Sequence, residues 1–173
     1  IPCQTCHMPE KEDGTHNHNF IGVDMDLSIP YMENPLFEKV SNMLASAVEM
    51  RFEILGEGLP SLIAGLDTLS IPLTIESLTA HSVPSGASFN REAWIELIVE
   101  NNNNIIYSSG LLTENSQLLN YDDNDLLVFK SYLLDEVGDT TNSVLDSFDI
   151  INNSLQAYSL RFKEYHVIIP SDV

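Results

Sequence analysis

Apolar and polar positions change rhythm twice along this chain. Residues 1–33 are rich in His, Asn and Asp and keep no sustained period, so they predict a loop-rich arm ordered by something other than a core of its own. From Asn34 the rhythm turns helical: Leu36, Val40, Met43, Leu44 and Ala47 recur on one face, Asn34 is placed to cap, and Pro35 suits the first helical position. The pattern predicts a helix ending between Met50 and Gly56. Beyond the breakers Gly56, Gly58 and Pro60, short β-type runs alternate with turn signals, with candidate strands at 72–80, 92–100, 105–109, 126–134 and 157–169. Alternation is clearest from Trp94 to Val99 and from Tyr158 to Tyr165, as half-buried antiparallel strands require. The asparagines at 101–104 read as a hairpin tip, and segment 141–152 fits helix or strand equally. The expected fold is mainly β: an antiparallel, immunoglobulin-like β-sandwich (57–173) preceded by a helix (34–56) and an arm (1–33).

Composition narrows the classes. With 173 residues and 43% hydrophobic content, the chain can bury one core, and no apolar run is long enough to span a bilayer as a helix. Seven Lys and Arg against 26 Asp and Glu give a formal charge of −19, which repels nucleic acid and anionic lipid and leaves basic partners as the complementary class.

Candidate chemistry sits at the start of the arm. Both cysteines of the chain, Cys3 and Cys6, precede His7 in a C-x-x-C-H spacing. Positions i, i+3 and i+4 share one face of a helical turn, so two thiols and one imidazole meet the edge and one side of a single macrocycle. That geometry suits haem c, bound by thioethers from Cys3 and Cys6 with His7 as the proximal iron ligand. Two other readings use the same residues. Cys3, Cys6 and His7 with His16 or His18 would make a tetrahedral zinc clip, and Cys3 with Cys6 a redox-active dithiol, although no βαβ pattern follows them.

Two longer stretches resemble multihaem c-type cytochromes. Cys6-His7-Met8-Pro9 followed by His16-Asn17-His18-Asn19-Phe20-Ile21-Gly22 is similar to the "CHMP, then HxF-x-G" segment near the last haem of such proteins. Ala80-His81-Ser82-Val83-Pro84-Ser85-Gly86, then Arg91, Trp94 and Ser109-Gly110, resembles the "GHxxPTG…R..W…SG" pattern of the β-domain that follows, with Ala80 and Ser85 where Gly and Thr are usual. The resemblance implies a C-terminal portion of a larger, exported multihaem cytochrome, periplasmic or extracellular, with further haems upstream. It also favours His81 as distal ligand to the haem at His7, and His18 as ligand to a neighbouring haem or, failing that, to the same one.

Other donors have ordinary roles to weigh. His16 reads as a solvated loop histidine, His166 as a strand or surface histidine, and Met25 as a weaker distal alternative. Asp24, Asp26 and Glu33, or Asp122, Asp123 and Asp125, lack the spacing of a calcium loop. No hydrolase triad order, phosphate loop or H-E-x-x-H motif occurs. The expected function is electron transfer through haem, with any catalytic haem outside this chain. The alternative is a β-sandwich binding or adhesion module in which the Cys/His arm is a zinc clip and Tyr107, Tyr121, Tyr132 or Trp94 contact the partner.

Overall fold

The computed structural model describes residues 5, 7–17, 22–26, 28–52, 67–113 and 118–169. A 3-10 turn, Tyr31–Glu33, leads into helix α1 (Phe37–Ala45), and ten strands follow in chain order. They are β1 (Val48–Phe52), β2 (Thr68–Ser77), β3 (Ala93–Ile95), β4 (Leu97–Asn101), β5 (Asn104–Ser109), β6 (Leu127–Phe129), β7 (Ser131–Leu134), β8 (Thr140–Thr141), β9 (Asp149–Asn152) and β10 (Leu160–Ile168). All pairings are antiparallel, in the orders β1-β2-β10, β3-β6, β4-β5 and β8-β7-β9. The architecture is therefore mainly β and sandwich-like, with a helix in front, as the alternation predicts.

Helix α1 is shorter than its apolar pattern suggests. Asn34 is buried at its head and its side-chain oxygen accepts the Leu36 amide, while Val40 is 1% exposed. The helix stops at Ala45, and Val48, Met50 and Phe52 belong instead to β1, paired with Ser77, Ile75 and Leu73. These three apolar residues keep a period of two, and the ladder with β2 fixes them as a strand.

The core lies where the sheets face each other. Leu73 and Ile75 of β2, Leu97 of β4, Phe129 of β6, Tyr165 of β10 and Leu155 from the loop between β9 and β10 form one buried cluster. Each full burial of a Leu, Ile or Phe contributes about 1.5–3 kcal/mol. Pro72 falls one residue past the Phe52–Leu73 pair, beyond the described reach of β1, where a strand proline is tolerated. The β4–β5 hairpin turns on Asn102 and Asn103 at φ 48° and 68°, the left-handed pair that a two-residue turn demands and that asparagine accepts. Segment 141–152 divides into a 3-10 turn (Val144–Asp146) and strand β9.

One carboxylate ties two segments together. Asp123 accepts the Ser109 hydroxyl and the Gly110 amide on one oxygen and the Asp125 amide on the other. Burial alone would raise its pKa, but these hydrogen bonds outweigh burial and hold the carboxyl below its usual value. The unfolded chain then binds this proton more readily. The stability involved is present above about pH 4 and lost as the pH falls through the depressed folded value. Acid unfolding of Asp123→Asn, compared with wild type, is expected to show a shallower loss of stability below about pH 4. An unchanged slope would place the acid sensitivity elsewhere.

Candidate metal centre

Thr5 and His7 have helical backbone, as the C-x-x-C-H geometry requires of its own turn. Cys3, Cys6 and His18 lie outside the described residues. The arm then folds back on itself: Lys11 donates to the Thr15 carbonyl, Asn17 to that of Pro9, and Glu10 bridges His16. Gly14 at φ 77° and the Asp13 side chain, which accepts both Thr15 donors, close the turn. Residues 9–17 are thus held by short-range bonds within the arm.

His16 is held by this turn. Its Nδ1 lies 2.9 Å from the Met8 carbonyl oxygen, which as partner fixes the ring next to the residue that follows His7. Met25 is half-buried in a shallow cleft with Ser28, Ile29, Pro30, Tyr31 and Asn34. His166 lies on the solvent face of β10, 4.0 Å from Glu164.

His81 does not end a strand: β2 stops at Ser77, and His81 occupies the bend that follows. The bend is nevertheless anchored on both sides. The Thr79 hydroxyl donates to the His81 carbonyl, and Val83 exchanges two backbone hydrogen bonds with Leu155, which is 1% exposed. The His81 side chain stands out from this anchored loop into the space beside the arm. Its ring centroid lies 5.9 Å from that of His7, with the ring planes at 64°.

That spacing can be tested against a metal between the rings. Two metal–nitrogen bonds of about 2 Å, plus roughly 1 Å from each nitrogen to its ring centre, put trans imidazole centroids about 6 Å apart. The His7 and His81 ring centroids stand close to that separation. Among the described residues there is no group of three or more His, Cys, Asp or Glu side chains that could hold a metal ion.

The other residues of the second motif knit the β-domain together. Trp94 Nε1 donates to the Gly110 carbonyl, and Arg91 donates through Nη1 to the Ser85 carbonyl and through Nη2 to both Asp24 oxygens. Three of the acidic residues considered for calcium are engaged in such structural bonds. Asp24 pairs with Arg91, Asp26 accepts both Ser28 donors, and Asp125 accepts from Tyr107 and pairs with Lys163. Burial, followed by the Asp125 bond, raises the Tyr107 phenol, and burial followed by the Asp125 and Asp123 charges pushes Tyr165 up to about 12. Tyr121 donates to Glu92, and Lys130 lies 5.9 Å from the ring centres of Tyr121 and Tyr132. Trp94, Tyr107 and Tyr132 are half-buried, and Tyr121 is exposed.

Fold and arm together define a class: a sandwich-like β-domain behind a short helix, with a polar arm whose histidine faces one from the β-domain. A solved structure with this fold is the penta-heme cytochrome c552 from Thermochromatium tepidum, matched at a TM-score of 0.66 and 18% identity over 98% of this chain. The match covers 36% of that chain, so the present sequence spans about a third of its length. No protein-family model and no curated protein matches this chain. No helix among the described residues is long and apolar enough to cross a membrane.

Proposed function

We propose that this chain is the C-terminal portion of an exported multihaem c-type cytochrome and that it carries electrons through one covalent haem. Cys3 and Cys6 provide the thioethers, His7 the proximal ligand and His81 the distal one. The observation that carries this reading is the 5.9 Å separation of the His7 and His81 rings, between segments 74 positions apart in sequence. The fold shared with a penta-heme cytochrome supports it independently.

When bound, haem iron supplies a one-electron ferric–ferrous couple. The chain's own residues do the rest. His7 and His81 would hold the iron between them, which would keep substrate from it and leave electron transfer as its chemistry. The anchored bend would restrain His81 through a change of oxidation state, which keeps reorganisation small. His18 is assigned to a neighbouring haem, and the −19 charge favours a basic redox partner. Any substrate-reducing haem would lie outside this chain.

Protein made in cells competent for c-type maturation is expected to keep one haem through denaturation and acid–organic extraction, and the Cys3→Ala/Cys6→Ala variant is expected to lose it. Extractable haem in the unaltered chain contradicts the assignment. A colourless protein that holds zinc favours the binding-module alternative.

A further inference from the structure

The Arg91–Asp24 contact joins the two segments that carry the facing histidines. Asp24 lies on the arm, and Arg91 lies just before β3 and reaches the Ser85 carbonyl in the same loop as His81. Seven Lys and Arg serve the whole chain, so a cation committed here is a scarce one. Its geometry is constrained from both ends. Nη1 lies 2.9 Å from the Ser85 oxygen, a Cβ added at Gly86 would stand 3.1 Å from Nη1, and Nη2 lies 2.7 Å from each Asp24 oxygen. The Arg91 side chain is 29% exposed and that of Asp24 is 81% exposed.

We infer that Arg91 is a positioning residue: a clasp that docks the arm on the 81–86 loop and so keeps His81 opposite His7. The inference rests on the haem reading above for its effect on ligation, but the docking itself does not. A guanidinium is needed because it presents separate N–H groups to a carbonyl and a carboxylate at once, which a lysine ammonium on a flexible stem does less well. The exposed end of the clasp is screened by salt, whereas the Ser85 end is set by packing. The clasp contributes modestly to stability. Its function is registration: releasing the arm lets the His7 side drift from His81 and opens the sixth position for part of the time.

Asp24→Asn, Arg91→Gln and the double variant separate these roles in matured protein. Hydrogen exchange over residues 8–26 reads docking, and carbon monoxide binding to the ferrous form reads registration. Each single variant is expected to lose protection in that segment and to bind carbon monoxide about five-fold faster, the scale of one exposed ion pair. The double variant should match Arg91→Gln, because Asp24 acts through Arg91. Raising salt from about 0.05 M to about 1 M should accelerate wild type towards Asp24→Asn and leave that variant unchanged. Unaltered arm protection in both single variants overturns the clasp, whatever ligates the iron. Arm release with no change in carbon monoxide binding overturns the registration role alone. A wild type that already binds carbon monoxide freely overturns the bis-histidine reading instead.

Discussion

His81→Ala is expected to convert the matured protein from a low-spin form that binds carbon monoxide only slowly to a high-spin form that binds it rapidly and stoichiometrically when ferrous. The cause is local. Removing one of two axial imidazoles leaves an open coordination position, and the bend has no second histidine to offer. The fold should survive, because the His81 side chain is exposed and its backbone is fixed by Thr79 and by the Val83–Leu155 pair. An exposed substitution of this kind changes stability by about 0.5 kcal/mol or less. His166→Ala serves as control, since that ring lies on the solvent face of β10, and it should leave the spectrum untouched. His18→Ala should also remain low-spin if His18 serves a neighbouring haem. A low-spin His81→Ala protein that still binds carbon monoxide only slowly makes His81 structural and moves the search to His18, His16 or Met25.

Gly110→Ala is expected to be the most damaging single methyl in the described part of the chain. Gly110 has φ 75°, and an added Cβ would stand 2.1 Å from the Ile95 carbonyl oxygen and 3.3 Å from Glu96 Cα. The left-handed conformation costs an alanine about 1–2 kcal/mol, and forced overpacking adds roughly 1–3 kcal/mol. Since the obstacle is backbone, no side-chain rotation relieves it. Any shift of Gly110 also strains the bonds its carbonyl accepts from Trp94 and its amide donates to Asp123. A thermal midpoint lower by about 10 °C is expected for a chain of this size. Gly138→Ala is the matched control: φ is 91°, but nothing lies within 4 Å of its would-be Cβ, so only the conformational cost remains. If the two variants melt alike, close approach at Gly110 is not what the fold depends on.

The parts of the fold visible in sequence are those set by local pattern. Alternation from Trp94 to Val99 and from Tyr158 to Tyr165 marked strand sequence, but the first run divides into β3 and β4, which pair with β6 and β5, and β10 begins only at Leu160; the asparagine run marked the β4–β5 turn. The end of α1 was not visible, because Ala47 and Met50 continue the helical spacing from Met43, while pairing with β2 places Val48–Phe52 in a strand. Long-range bonds were equally hidden. Arg91 and Asp24 stand 67 residues apart, and nothing in the spacing of either marks the other. Asp123 looked like surface acidity, and its three donors become apparent only once Ser109 and Gly110 are folded beside it. His81 was singled out through its motif, and its position differs from the expected one, since the strand predicted to run up to it stops at Ser77.

Anomalous diffraction at the iron and zinc edges, from crystals of matured protein, tests the central claim most directly. The account predicts one iron peak between His7 and His81, with metal–nitrogen bonds of about 2 Å on both sides and continuous density from Cys3 and Cys6 to the macrocycle. A zinc peak enclosed by Cys3, Cys6, His7 and either His16 or His18, with His81 unligated, would contradict it.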